Sequence, residues 1–229
     1  MTVEPTEIDA AVVAARLGAV RERIDRAAGG RAVEIVAVTK GFRVDAVRAA
    51  LDLGLGAIGE NYAQELLGKA ADLSSEDTAP TWHFLGRLQR NKVRHLAGIV
   101  SIWESVDRTE LLDEIARRAP GARVFVQANL SGEAQKGGAP LDDVASIVEH
   151  GRRLGLSVAG LMGVGPSGPP EGARAGFRAL VALADTLDLE HRSIGMSNDL
   201  EVAVEEGATI VRVGRDLFGP RPQPGSPPG

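Results

Sequence analysis

Val13, Leu17, Val20 and Ile24 recur at spacings of four, three and four, so the segment from about Ile8 to Ala28 predicts a helix with one apolar face, covering the bottom or flank of whatever follows. Val33 to Thr39 reads VEIVAVT, the nearly unbroken β-branched run of a strand buried on both faces of a parallel sheet, and Lys40 comes directly after it. Short apolar runs at about 56–59, 82–85, 99–103, 122–128, 156–161, 191–194 and 209–213 then alternate with amphipathic stretches of helical length. With the first, these make eight strand candidates. Strand and helix in this rhythm imply a parallel sheet, and eight units predict an α/β fold closed into a (β/α)8 TIM barrel rather than an open doubly wound sheet.

Helix signals agree with this alternation. Val44, Val47, Ala50 and Leu51 form one apolar face ahead of Gly54, and Ala63, Leu66, Leu67 and Ala70 form another. Asp107 is the expected N-cap before Leu111, Leu112 and Ile115, and Pro140 opens the next helix. The expected organisation is an N-terminal helix over 1–30, a barrel over 31–219, and a disordered Pro/Gly-rich tail over 220–229.

Composition narrows the function. A chain of 229 residues suits one α/β barrel, and 44% hydrophobic with 25% charged residues is ordinary for a globular protein. The net charge of −5, without a block of Lys or Arg, argues against nucleic acid as a partner. No apolar run is long enough to cross a bilayer, so no membrane association is expected. Cysteine is absent, which excludes disulfides and thiolate sites. The opening MTVEPTEID carries no basic region followed by an apolar stretch, so a cytoplasmic protein is expected. His83, His95, His150 and His191 show no ligand spacing, so no metal site is expected.

Chemistry-bearing residues collect at the ends of the proposed strands: Lys40, Glu60, Asn61, His83, Glu104, Ser105, Asn129, Met162, Ser197, Arg212 and Gly214. In a barrel those ends meet on the face where active sites are built. Lys40 in isolation reads as a lysine snorkelling to water. At a barrel mouth, desolvated and near Arg212, it would have a lowered pKa and supply a neutral amine for Schiff-base formation. SIGMSNDL (193–200) sets Gly195 and Ser197 before a helix, and VRVGRDLF (211–218) offers close backbone approach at Gly214. These two segments follow strands seven and eight, where barrels commonly seat phosphate; the plainer reading makes Ser197 an N-cap and Gly214 a strand end. GVGPSG (163–168) fits G-x-G-x-x-G, but it follows the sixth strand and is cut by prolines, so it reads as a flexible loop rather than a dinucleotide site. His83 either lines the mouth or is a hydrogen-bonded structural histidine.

VAVTK (36–40), GENY with Gln64, WHFLG with LQRNK (82–92), Asn129 with SGEAQKGG (131–138), GLMGV (160–164), GMSND (195–199) and VRVGRDLFG (211–219) together resemble the ordered motifs of the pyridoxal 5′-phosphate (PLP) homeostasis proteins, relatives of the N-terminal barrel of alanine racemase. The resemblance spans roughly residues 33 to 220. It implies PLP carried as an aldimine on Lys40, with the phosphate held by Ser197 and the backbone N–H groups of Gly214 and Arg215. Arg212 would face the pyridine nitrogen, and Asn61 would sit near the ring. The implied role is a carrier or buffer in vitamin B6 homeostasis without turnover, with apo PLP-dependent enzymes as partners; an arginine at the ring nitrogen would weaken the ring as an electron sink. No obvious sticky surface appears, so a monomer is expected. Gly41-Phe42-Arg43 replaces the Thr-x-Pro pattern of many relatives, and Arg215 stands where many carry Thr or Ser. Lys136 is either a second, transient cofactor contact or a solvated loop lysine. The alternative function is a PLP-dependent amino-acid racemase, which needs a second acid–base group opposite Lys40; the single tyrosine, Tyr62, lies on the barrel beside Asn61.

Overall fold

In the computed structural model, which describes residues 8–76, 78–133 and 136–221, eight parallel strands close into a barrel in chain order. They are β1 (Glu34–Val38), β2 (Ala57–Glu60), β3 (Thr81–Phe84), β4 (Ile102–Val106), β5 (Arg123–Asn129), β6 (Ser157–Val164), β7 (His191–Met196) and β8 (Ile210–Val213). Helix α1 (Ala10–Ala28) precedes them; α2 (Val44–Asp52), α3 (Ala63–Asp72), α4 (Arg90–Leu96), α5 (Thr109–Arg118), α6 (Leu141–Arg153), α7 (Arg174–Thr186), α8 (Leu200–Glu206) and α9 (Arg215–Phe218) follow β1 to β8 in turn. The last strand closes on the first, with Ile210 opposite Glu34 and Val213 opposite Ala37.

Strand alternation divides the core in two. Val36, Val38, Ala57, Leu85, Ile102, Phe125, Met162 and Ile210 fill the barrel interior, while their neighbours, such as Ala37 and Ile58, pack outward against the helices. The interior is therefore a plug, and it forms a floor beneath the C-terminal ends of the strands. Helix α1 buries Val13, Leu17, Val20 and Ile24 as their spacing predicts, and packs on the flank of the barrel beside α8 and α9. Asp9 caps it through the N–H groups of Ala11 and Val12, and Gly29 ends it in the left-handed region at φ 58°.

Two local expectations are corrected. The fourth strand starts at Ile102 rather than near 99, because the N–H groups of Ile99 and Val100 both donate to the Leu96 carbonyl and finish the preceding helix. Asp107 does not cap α5: Arg108 occupies the N-cap position, and the Asp107 carboxylate instead pairs with its guanidinium at 2.5 Å. Most of the expected tail, from residue 222 on, lies outside the described residues. Among the described residues, no helix is long and apolar enough to cross a membrane, and no cluster of side chains could hold a metal ion.

Phe125 is fully buried in the interior plug. Phe125→Ala should cost about 3–5 kcal/mol of stability, read as a lower urea midpoint at unchanged slope. An unchanged midpoint would mean that the plug does not hold the barrel.

Candidate functional site

A cavity of about 790 Å³ opens at the C-terminal ends of the strands. Lys40, Asn61, Ser197, Arg212, Gly214 and Arg215, the six residues singled out by sequence, all line it. Val38, Leu85, Met162 and Val164 supply an apolar wall, and Arg221 adds a further cation. Among the described residues, the lining contains no carboxylate, histidine or tyrosine.

Lys40 projects from the end of β1, and the chain on either side of it is tied to α3. The Thr39 carbonyl accepts from Lys69 Nζ at 2.8 Å, the Thr39 hydroxyl donates to Glu60 Oε1 at 2.6 Å, and the Gly41 N–H donates to Glu65 Oε2 at 2.7 Å. Lys69 and Glu60 form a buried pair at 2.5 Å behind the barrel wall. Burial pushes the Glu60 carboxyl up, against the pull of Lys69. Glu60 thus faces the helices rather than the mouth. Half-buried Lys40 is held below the ordinary lysine pKa by burial first, then by Arg221 and Arg212, with Glu60 and Glu65 opposing.

Arg212 is almost fully buried, and a guanidinium keeps its charge there only with partners. Its Nη1 donates to the Ser193 carbonyl at 2.5 Å and to Ser193 Oγ at 2.8 Å, and its Nη2 donates to the Gly163 carbonyl at 2.8 Å. Ser193 Oγ in turn donates to Glu104 Oε2 at 2.5 Å, and Glu104 Oε1 meets His83 Nδ1 at 2.5 Å. Burial works to raise the Glu104 carboxyl, but His83, Arg212 and Ser193 together hold it below the usual range. An ionised Glu104 therefore balances Arg212 from within the barrel. His83 belongs to this network and does not line the cavity, which decides for its structural role.

The opposite side of the cavity is built from tight turns. Gly195 has φ +91°, and a Cβ there would lie 2.5 Å from the Ala203 methyl. Ser197 is not an N-cap: Asp199 holds that position, and its Oδ1 accepts from the Met196 N–H at 2.7 Å. The Ser197 hydroxyl has no hydrogen-bond partner among the described residues, which leaves it available to a ligand. At Gly214 a Cβ would sit 3.0 Å from the Val38 carbonyl, so the glycine serves the approach of β8 to β1 as well as the cavity wall. Helices α8 and α9 have seven and four residues, too short for a helix dipole to carry anion binding. Anion affinity here rests on the hydroxyl, backbone N–H groups and arginines. Asn61 is seated by Gly86 of the WHFLG segment, where a Cβ would come within 1.8 Å of the Asn61 carbonyl, and Asn61 Oδ1 is buried without a partner among the described residues.

These features suit an aldehyde that carries a phosphate: one amine of lowered pKa, unpartnered polar atoms, and cations with no acid among them. Lys136 stands apart, donating to the Gly165 carbonyl at 2.7 Å and paired with Glu133 at 2.8 Å, so it is not a solvated loop lysine. Tyr62 is 56% exposed and outside the lining. GVGPSG ends β6 and runs into a 3-10 turn over Pro170–Ala173, with no dinucleotide-type helix opening at its glycines. Arg221 is the functional candidate that sequence reasoning missed, being assigned to the tail. Its signal was barrel closure: with β8 beside β1, a segment just past β8 returns to the neighbourhood of Lys40.

The family model described as alanine racemase, N-terminal domain, matches residues 8–222. A pyridoxal phosphate homeostasis protein of Aquifex aeolicus is 40% identical over 223 residues, covering 90% of this chain and 97% of that one. Its namesake in Pseudomonas aeruginosa is 39% identical over 222 residues, covering 91% and 96%. PipY of Synechococcus elongatus, solved with PLP bound, superposes with a TM-score of 0.81 at 31% identity, covering 90% of this chain and all (100%) of PipY.

Removing a cation from beside an amine favours its protonated form. Arg221→Ala should therefore raise the Lys40 pKa toward the ordinary value. The pH profile of acylation at Lys40, followed by peptide mass mapping, should shift to higher pH; an unmoved profile would remove Arg221 from the site.

Proposed function

The chain belongs to the pyridoxal phosphate homeostasis proteins of the alanine racemase N-terminal-domain family, and from that membership we propose that it holds PLP at Lys40 and serves the intracellular supply of the cofactor as a carrier or buffer. The observation that carries this reading is the cavity lining: among the described residues its only lysine has a depressed pKa, and it is surrounded by arginines with no acid among them. When bound, PLP supplies an aldehyde that a neutral amine captures covalently and reversibly, with a phosphate at the far end as an anchor. Lys40 offers that amine, while the Ser197 hydroxyl and the backbone N–H groups of Gly214 and Arg215 hold the phosphate. Arg215 needs no hydroxyl for this, because its part is played by the main chain. Arg212, kept charged by Glu104, would lie on the side of the ring nitrogen and oppose its protonation, and Asn61 would border the ring.

The same lining supports a protein without turnover. Racemisation needs proton-carrying groups on opposite faces of the cofactor. Among the described lining residues, Lys40, with its pKa lowered by burial and the neighbouring arginines, is the side chain suited to exchange a proton, since the arginines stay charged and Tyr62 is turned to solvent. The absence of cysteine fits the cytoplasm, where apo PLP-dependent enzymes would receive the cofactor.

Protein mixed with PLP should show a visible absorbance band, and borohydride should then fix the label on Lys40. Lys40→Ala should abolish both; label on another lysine in the unaltered protein would sink the assignment. Ser197→Ala should weaken PLP about ten- to a hundredfold, the worth of a hydrogen bond to a charged group, and leave capture of unphosphorylated pyridoxal unchanged. Conversion of L-alanine to D-alanine at enzyme-like rates would overturn the carrier reading in favour of a racemase.

A further inference from the structure

Arg23 of α1 lies outside the cavity lining, yet its guanidinium reaches each segment that forms the phosphate side of the cavity. Its Nε donates to Glu201 Oε1 at 2.6 Å and its Nη2 to Glu201 Oε2 at 2.8 Å, a two-pronged grip on α8. The same Nη2 donates to the Ser197 carbonyl at 2.8 Å, and Nη1 donates to Asp216 Oδ2 of α9 at 2.6 Å. Two further arginines extend the attachment: Arg31 Nη2 donates to the Val204 carbonyl at 2.5 Å, and Arg16 Nη1 to the Leu217 carbonyl at 3.4 Å.

We propose that Arg23 is a positioning residue for phosphate, strapping the Ser197 turn to the Gly214–Arg215 segment and cancelling the charge of two carboxylates behind them. The inference rests on the reading of this cavity as a PLP site. The strap acts in two ways. By holding the Ser197 carbonyl, Arg23 fixes the plane of the peptide that follows it, while Asp199 fixes the other side of the turn through the Met196 N–H. Linking that turn to Asp216 sets the spacing between the two halves of the seat. Electrostatically, Glu201 and Asp216 lie in the first turns of α8 and α9, beside the position of an incoming dianion. Without Arg23 both would repel it. Either effect falls on the phosphate and leaves the amine at Lys40 untouched.

The test compares PLP with pyridoxal, which keeps the aldehyde and lacks the phosphate. Each is titrated by absorbance and trapped with borohydride at Lys40 in the unaltered protein, Arg23→Gln and Arg23→Lys, with melting of the ligand-free proteins followed alongside. Arg23→Gln should weaken PLP by about tenfold or more while pyridoxal capture changes by less than about twofold, and inorganic phosphate should compete less well against PLP. Arg23→Lys, keeping the charge but losing the fork, should fall between the two; if Arg23→Gln does not fold, this variant alone must show the phosphate-selective loss. Equal weakening of both ligands, or unchanged PLP affinity, would overturn the strap. If the unaltered protein does not prefer PLP over pyridoxal, or Lys40 takes no label, the reading of the cavity itself fails instead.

Discussion

The pairing of β8 with β1 is the constraint on which the site depends. Residues far apart in sequence, Lys40 at one end of the barrel circuit and Arg212, Gly214 and Arg215 at the other, become neighbours because Val36 lies opposite Arg212 and Ala37 opposite Val213. The contact tolerates little at Gly214, where any side chain would press on the Val38 carbonyl. It also forces Arg212 into the barrel. Such burial is tolerable only because Ser193, Glu104 and His83 extend a hydrogen-bonded chain from the guanidinium toward the far wall. Closure, cation and counter-network are one structural solution.

Charge around the mouth is sorted by side of the wall. Among the described residues, the inward faces carry Lys40, Arg212, Arg215 and Arg221, and no acid. The acids stand behind: on either side of Lys40, Glu60 accepts from the Thr39 hydroxyl and Glu65 from the Gly41 N–H, and Glu201 and Asp216 bind Arg23 behind Ser197. An acid facing inward would raise the lysine pKa and repel a phosphate; the same acid facing outward fixes the rim while the wall separates it from the ligand. The two sides of the mouth therefore share one design, although one is anchored by α3 and the other by α1.

The barrel was legible in the sequence because each strand is buried on both faces and reads as an apolar run, while the helices keep a helical period. Lys40, Ser197 and Gly214 were legible because a closed barrel places strand ends on one face. What failed was whatever depends on side-chain direction or on a competing local bond. Glu60 and Ser105 lie at strand ends, but Glu60 points to α3, and the Ser105 hydroxyl donates to the Gly86 carbonyl. Asp107 looked like a cap until Arg108 offered it a closer partner. Arg221 and Arg23 lie in a Pro/Gly-rich stretch and on a helix with an ordinary apolar stripe. No local pattern distinguishes either from a surface arginine; only the packing of α1 on α8 and the return of the chain past β8 give them a place.

A carrier and an enzyme of one fold differ in how many groups at the cofactor can exchange a proton. Here the amine of Lys40 has a lowered pKa, and the charge around it is fixed: guanidiniums that keep their proton, backed by a carboxylate that burial alone would neutralise but that His83, Arg212 and Ser193 hold ionised. Fixed positive charge stabilises the neutral amine and attracts the phosphate, and both effects serve capture. Among the described residues, no carboxylate, histidine or tyrosine joins Lys40 in the lining. The fixed positive charge that joins burial in lowering the Lys40 pKa is thus the same charge that would draw an anionic ligand into the cavity.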